Sequence, residues 1–83
     1  MKHAGAAALQ GLSELLEQIR VKDGIQEKKL GIFYRKSKAF LHFHEDPAGM
    51  FADLRDADFA RYPVNTKKEW RALLAAIDQA LAV

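Results

Sequence analysis

The chain has 83 residues, of which 49% are hydrophobic and 29% charged, and it contains no cysteine. This length supports one domain, residues 1 to 83, with a single small core. The absence of cysteine excludes disulfides and thiolate metal sites, and it predicts a reducing, cytoplasmic location. No apolar run approaches the roughly 20 residues that span a bilayer, so no membrane partner is expected.

The net charge of +2 is small, but the charges are distributed unevenly. Residues 20 to 38 contain seven basic and two acidic side chains, whereas residues 45 to 58 contain five acidic and one basic. A dipolar chain of this kind favours self-association or a charged partner over the uniform binding of a polyanion.

The N-terminal third predicts one helix. Residues 1 to 5 have little to anchor them and are expected to be disordered. Apolar residues at helical spacing then predict a helix from Ala6 to Lys22, and Gly24 is well placed to end it in a left-handed conformation. Ile25 to Lys29 alternates poorly, so we expect a loop or the frayed start of a strand.

The stretch from Leu30 to Arg55 predicts a three-stranded antiparallel meander. Its second turn, Asp46 to Gly49, has the residue preferences of a type I turn. Its first turn, Arg35 to Lys38, lacks the Gly, Asn or Asp of a tight hairpin and predicts a looser four-residue loop. The register that gives one consistently apolar face pairs Tyr34 with Ala39, Ile32 with Leu41, Leu30 with Phe43 and Glu45 with Met50.

The C-terminal segment predicts a second helix. After Arg55 we expect an irregular crossover, in which Pro63 keeps the preceding residue out of the helical region. Thr66 and Glu69 have the spacing of a capping box and should begin the helix. The predicted fold is therefore α+β, in the order α-β-β-β-α, with a three-stranded antiparallel meander packed against two helices.

This order of elements, with GIFYRKSKAFLHFHEDPAGMFADLR at its centre, resembles small bacterial α/β proteins known as conserved hypothetical proteins, including the YdhG-like and YjbR-like groups. The stretch YPVNTKKEW, Tyr62 to Trp70, is similar to the Asn-Lys-Lys segment that precedes a Trp in the YjbR-like group, although the spacing differs. The resemblance implies a bacterial source and, because DNA binding has been proposed for YjbR-like proteins, a DNA partner. It transfers no catalytic residue.

His42 and His44 are the candidate metal ligands. They lie two apart on a strand, so both imidazoles project from the same face. Asp53, opposite His42 in the predicted register, is the candidate third ligand. The spacing matches no known metal motif, so we favour a structural interpretation in which His42 and Asp53 form a cross-strand pair. No cofactor, metal ion or catalytic residue is expected.

Three phenylalanines share the face with these polar residues in the predicted register. If one helix covers each sheet face, this face is buried within the monomer. If both helices share the opposite face, the aromatic face is a homodimer interface or a ligand groove, and we favour this arrangement because its polar neighbours suit an interface rim. The predicted interface residues are Phe33, Phe40, Phe51 and Arg55.

The predicted function is that of a small, non-enzymatic binding or assembly module that forms a homodimer through its sheet and binds an unidentified protein or small molecule. One alternative is a metal-dependent or His/Asp-based enzyme. The other is a nucleic-acid-binding protein that uses the basic hairpin, although the acidic stretch after it would repel a long polyanion. In this second alternative the basic residues would bind phosphates while Phe33 and Tyr34, interleaved with them, stack on bases. The basic residues are Lys28, Lys29, Arg35, Lys36 and Lys38.

Overall fold

A six-stranded antiparallel sheet forms the framework of the protein in the computed structural model, which describes residues 2 to 82. The strand order is β2-β3-β4-β5-β6, and β1 also pairs with β4. Among the described residues, no helix is long and apolar enough to span a bilayer. The elements in chain order are β1 (Lys2–His3), α1 (Ala6–Gln10), α2 (Ser13–Arg20), β2 (Gln26–Lys29), β3 (Ile32–Arg35), β4 (Lys38–Asp46), β5 (Gly49–Arg55), β6 (Phe59–Pro63) and α3 (Lys67–Leu81).

The α+β class is confirmed, but the sheet is larger than the predicted meander. Strands β3, β4 and β5 form the meander itself. The additional strands arise from segments predicted as a disordered terminus, a loop and an irregular crossover, namely β1, β2 and β6. These strands are short and mostly exposed, so they lack the alternation of apolar and polar residues by which a half-buried strand is identified.

The predicted first helix is two helices instead of one. The chain turns at Gly11 and Leu12, where the Leu12 N–H donates to the Leu9 carbonyl at 2.9 Å. Glycine is a poor helix former, and the turn brings Leu12 into the core, where it is 4% exposed. Gly24 has the predicted positive φ, +94°, but α2 ends earlier, at Arg20, with Val21 as its C-cap in a right-handed conformation, so Gly24 lies in the turn that follows the helix.

The start of α3 is as predicted. The Thr66 hydroxyl accepts a hydrogen bond from the Glu69 N–H at 3.1 Å, and the Glu69 carboxylate accepts from the Thr66 N–H at 3.1 Å. These two bonds form a capping box that satisfies amides with no partner inside the helix. The same carboxylate accepts from the Asn65 N–H at 2.7 Å, which fixes the chain entering the helix.

Helices α2 and α3 lie side by side in the same direction. Glu14 and Lys67, near their first turns, form an ion pair at 3.0 Å, and Lys22 pairs with Asp78 near their last turns. Apolar residues of both helices share one core with one face of the sheet, so both helices cover the same face. The fully buried members of this core include Leu15, Ile19, Phe33, Leu41, Phe43, Leu54, Leu73 and Ile77.

The register of β4 with β5 is as predicted, whereas that of β3 with β4 is not. Tyr34 pairs with Ala39 as expected, but Phe33 pairs with Leu41. Phe40 is the extra residue of a β-bulge between these pairs. One inserted residue turns the rest of β3 over, so the predicted pairs Ile32 with Leu41 and Leu30 with Phe43 are wrong.

The first hairpin turn is also tighter than predicted. Arg35 pairs with Lys38, which leaves only Lys36 and Ser37 between the strands. Their φ angles are 53° and 69°, so both residues adopt a left-handed conformation without being Gly, Asn or Asp. The twist of the flanking strands favours a two-residue turn with two positive φ angles, and here it outweighs the side-chain preference.

The predicted aromatic interface is not formed as one surface. Phe33 and Phe40 belong to the core and are only 1% and 3% exposed. The bulge is the reason, because it turns Phe33 toward the helices. Of the predicted interface residues, only Phe51, which is half-buried, and Arg55, which is exposed, lie outside the core.

We therefore expect Phe40→Ala to lower the free energy of unfolding by about 3 to 5 kcal/mol, because it removes a buried aromatic ring and leaves a cavity. The matched control is Phe51→Ala, which removes the same ring from the opposite face of the sheet and should cost about 1 kcal/mol. Urea denaturation of both variants measures the difference. Equal losses would contradict the assignment of Phe40 to the core.

Candidate functional site

The sheet face opposite the helices, called here the open face, concentrates the polar side chains of the sheet centre. Because side chains alternate along a strand, the residues that flank the core positions of β3, β4 and β5 point to this face. The register arranges them in two cross-strand rows. One row is Ile32, His42, Asp53 and Arg61, and the other is His3, His44, Phe51 and Pro63.

The three histidines of the chain meet on the open face. His42 and His44 come from β4, and the pairing of β1 with β4 places His3 directly opposite His44. The ring centroids lie 4.8 Å apart for His42 and His44, 4.9 Å for His3 and His44, and 5.5 Å for His3 and His42. One ring nitrogen from each residue can be chosen so that all three lie within 4.8 Å of one another.

Several contacts hold β1 in place next to β4, and most of them involve Glu45. Its carboxylate pairs with the Lys2 ammonium at 3.3 Å and accepts from the Gly5 N–H at 3.0 Å. The Gly5 N–H, more than any other group, lowers the pKa of Glu45. The Ala4 N–H also donates to the Phe43 carbonyl at 3.0 Å. These contacts position His3 although its strand has only two residues.

Asp53 lies on β5, next to the histidines of β4, and its carboxylate is bound by Arg61. The Arg61 guanidinium donates to both carboxylate oxygens, from Nε at 2.8 Å and from a terminal nitrogen at 3.0 Å. This bidentate bond lowers the pKa of Asp53, which is 8% exposed, and keeps it charged. The predicted pairing of Asp53 with His42 holds for the backbone only, because the side-chain partners of Asp53 are Arg61 and His44.

Two neighbouring groups lie within hydrogen-bond distance of the same ring nitrogen of His44. His44 Nε2 lies 3.1 Å from Asp53 Oδ2 and 2.9 Å from His42 Nδ1. Both neighbours therefore compete for the same N–H. In a catalytic Asp-His pair, the carboxylate holds one ring nitrogen and the other carries out the chemistry. The other nitrogen of His44, Nδ1, is buried without a hydrogen-bond partner among the described residues, so the geometry lacks such a relay.

The imidazoles do fit a metal ion. Two nitrogen ligands on one tetrahedral zinc are about 3.3 Å apart, given bond lengths of about 2.0 to 2.1 Å. His42 Nδ1 and His44 Nε2 are 2.9 Å apart, so a small opening of this contact reaches the required spacing. His3 offers the third nitrogen. Asp53, the third ligand suggested by the sequence, is instead bound through both carboxylate oxygens by Arg61.

Sequence reasoning placed His42, His44 and Asp53 on one face but missed His3 and Arg61. Both missed residues lie on strands that were predicted as unstructured segments. The signal available for His3 was that the chain contains only three histidines, two of which already share a face. No local pattern marked Arg61, because its role depends on the pairing of β6 with β5.

Only three of the five basic residues of the nucleic-acid alternative lie together at the end of the β3–β4 hairpin. The Lys28 ammonium lies 5.1 Å from the centre of the Tyr34 ring. Lys29 pairs with Ile32 at the far end of β3. Arg35, Lys36 and Lys38 line a cavity at the hairpin end. Phe33, which was expected to stack on bases beside these cations, is buried in the core.

No family model matches the chain, and neither a curated protein nor a solved structure shows significant similarity to it. The resemblance to YdhG-like and YjbR-like proteins therefore stays a prediction. Function has to be inferred from the geometry of the described residues.

The histidine cluster should make stability depend on pH. Burial, followed by the charge of His44, lowers the pKa of His42, whereas Asp53 opposes this shift. The unfolded chain therefore takes up a proton on this residue near pH 6.5, before the folded protein does. The free energy of unfolding is highest above this pH and falls as the pH drops through the lowered pKa of folded His42.

We expect the urea midpoint to fall between pH 7.5 and pH 5, and to fall less in His42→Gln because this variant has no proton to take up at position 42. His3→Gln is the matched control, since it removes an exposed imidazole from the same cluster and should retain most of the decline. If His42→Gln declined as steeply as the wild type, the assignment of this pH dependence to His42 would be wrong.

Proposed function

We propose that this protein is a small binding module that holds one divalent transition-metal ion, such as Zn²⁺, on the open face of its sheet. The observation that carries the proposal is that three imidazoles, from His3, His42 and His44, offer nitrogens within 4.8 Å of one another. Imidazole is a common ligand for zinc and its neighbours, and three histidines are a known zinc ligand set.

The surroundings of the imidazoles support this proposal. Histidines that bind metals usually contact a second group that fixes the orientation of the ring. At His44, Asp53 Oδ2 lies 3.1 Å from Nε2, the nitrogen that would bind the metal, so Asp53 does not fix the ring through the other nitrogen. Its carboxylate, held by Arg61, instead places a negative charge beside the site, which favours a cation. Two of the three ligands also lie on β4, a nine-residue strand with neighbours on both sides, so their spacing is fixed by the sheet.

The proposal departs from the sequence-based expectation of no metal ion, and His3 is the reason. That expectation rested on the lack of a third ligand with a known spacing, and the third ligand comes from 39 positions before His42 in the chain. A three-histidine site leaves the fourth tetrahedral position for water or for an atom from another molecule. The metal-dependent enzyme of the sequence analysis would have to use this position.

Calorimetric titration with ZnCl₂ at pH 7.5 tests the site. We expect one ion per chain, with an affinity that falls at least tenfold in His3→Ala and in His42→Ala, because each variant removes one of three ligands. Lys2→Ala is the matched control, since it weakens the contact of the same strand with Glu45 but keeps every imidazole. Its affinity should change about twofold or less.

Thermal unfolding provides a second measurement. A metal ion that binds only the folded protein raises the midpoint of unfolding, and a chelator should reverse this increase. Since His3 is exposed, His3→Ala should fold normally without metal and lose only the increase. Tight zinc binding that is equal in wild type and His3→Ala would remove the three-histidine site from consideration.

Self-association through the open face is a second proposal. It rests on the exposed face of the sheet, because two of the three phenylalanines of the predicted interface are buried in the core. Helices α2 and α3 lie on the opposite face of the sheet. Phe51 and Phe59 leave apolar surface next to the histidines, and Phe59 is 39% exposed. The cytoplasmic location and the nucleic-acid alternative stay predictions, and the burial of Phe33 removes one of the two aromatic rings on which the latter relied.

Sedimentation at micromolar concentrations, with and without zinc, tests self-association. We expect a homodimer whose dissociation is promoted by Phe51→Glu, because a charge is costly in a sheet-to-sheet interface but tolerated on a solvated face. Lys68→Glu, an exposed site on α3, is the control for the introduced charge. A wild type that sediments as a monomer in both conditions would refute the dimer without affecting the metal site.

A further inference from the structure

A cavity of about 320 Å³ lies where the β3–β4 hairpin meets the end of α3. Its floor is apolar and includes Phe40 and Ala80, which are 3% and 7% exposed. The remaining lining is strongly basic, with Asp56 as the single acidic member. The basic residues that line it are Arg35, Lys36, Lys38 and Arg55.

Arg55 is positioned in advance at this cavity. Its Nε donates to the Ala39 carbonyl at 3.0 Å, and its guanidinium lies 4.6 Å from the centre of the Phe59 ring. These two contacts fix the plane of the guanidinium. No described residue accepts a hydrogen bond from its two terminal nitrogens, so both remain available for a ligand. A guanidinium held in this way loses little side-chain entropy when it binds an oxyanion.

Lys36 and Lys38 contribute two further positive charges. Neither lysine has a carboxylate within ion-pair distance among residues 2 to 82, in contrast to Lys2, Lys22 and Lys67. Lys36 is the first residue of the two-residue turn and Lys38 directly follows the turn, so its left-handed backbone fixes where both side chains leave the chain. The cavity therefore brings together one oriented guanidinium and two ammonium groups.

Arg35 has a different role at the same cavity. One of its terminal nitrogens donates to the Ala80 carbonyl at 2.8 Å, in the last turn of α3. The carbonyl end of a helix carries a partial negative charge that would repel an anion, and a bound guanidinium offsets this charge. Arg35 thus makes the helix end compatible with an anion, while the ligand contacts come from the other three cations.

We propose that this cavity binds a small organic phosphate, that is, a phosphate monoester attached to a compact apolar group. A guanidinium fork and two ammonium groups match the charge and the oxygens of a phosphate dianion. The cavity is at the lower limit of the usual volume range for ligand pockets but larger than a phosphate alone needs, and its floor offers apolar contact for the attached group. In the alternative interpretation the cavity binds no ligand, and the lysines of the solvated hairpin protect the sheet from aggregation.

Phenyl phosphate is the probe that separates these two interpretations. Titration of the ¹⁵N-labelled protein at constant ionic strength should shift the amide signals around the hairpin and Arg55 and saturate at one molecule per chain. Inorganic phosphate should bind more weakly because it lacks the apolar group, and phenol should not bind because it lacks the charge. Equal, unsaturable shifts with phenyl phosphate and sulfate would overturn the proposal.

Matched variants test whether phenyl phosphate binds in this cavity. Arg55→Gln and Lys38→Gln should each weaken phenyl phosphate binding about tenfold, as expected for the loss of one charged hydrogen bond. Lys68→Gln removes an exposed lysine from α3 that does not line the cavity, and its affinity should equal that of the wild type. Because Lys38 is exposed, its variant remains folded even if Arg55→Gln is destabilised.

If Lys68→Gln and Lys38→Gln weaken binding equally, the effect is one of net charge and the cavity is not the site. No histidine lines the cavity, so His3→Ala should retain full phenyl phosphate binding. Failure of zinc binding would therefore leave this proposal standing, and failure of phosphate binding would leave the metal site standing.

Discussion

One extra residue in β4 determines which side chains of β3 face the helices. Phe40 forms the bulge, so the pairing shifts by one position between Tyr34 and Phe33. As a result, Phe33 fills the core, and Ile32 takes the position next to His42 on the open face. Without the bulge, Phe33 would lie on the open face beside the histidines, and the core would lose one of its largest side chains.

The bulge therefore separates an apolar face from a polar one within a very small sheet. A chain of 83 residues can bury only one core, and here α2 and α3 both lie over it. Among residues 2 to 82 no helix lies over the opposite face, so polar groups there stay close to water. A carboxylate as enclosed as Asp53 nevertheless needs a partner in such a position, and Arg61 supplies it from the neighbouring strand.

The parts of the fold that the sequence predicts are those set by neighbours in the chain. The turn at Asp46 to Gly49 and the alternation on both sides of it are sufficient for the register of β4 with β5, and that register places His42, His44 and Asp53 on one face. The capping box at Thr66 is equally local. Each signal lies within about ten residues, so no knowledge of the rest of the fold is required.

The parts that the sequence does not predict depend on distant pairings. His3 reaches His44 only because β1 adds to the free half of one edge of β4, and 34 residues separate the two strands. Arg61 lies on a strand whose residues are largely exposed and carry no alternation. No residue next to Phe40 marks the bulge either, and its effect, the burial of both Phe33 and Phe40, is seen only in the packed sheet.

The short first strand has a consequence for the exchange of a bound ion. His42 and His44 remain fixed on a central strand, whereas His3 lies on a two-residue strand at the start of the described chain. Fraying of that strand would withdraw one ligand and leave the other two in place, which is a lower barrier than release from three rigid ligands. At the proposed metal site, the ion would therefore enter and leave in two steps, through a state bound by His42 and His44 alone.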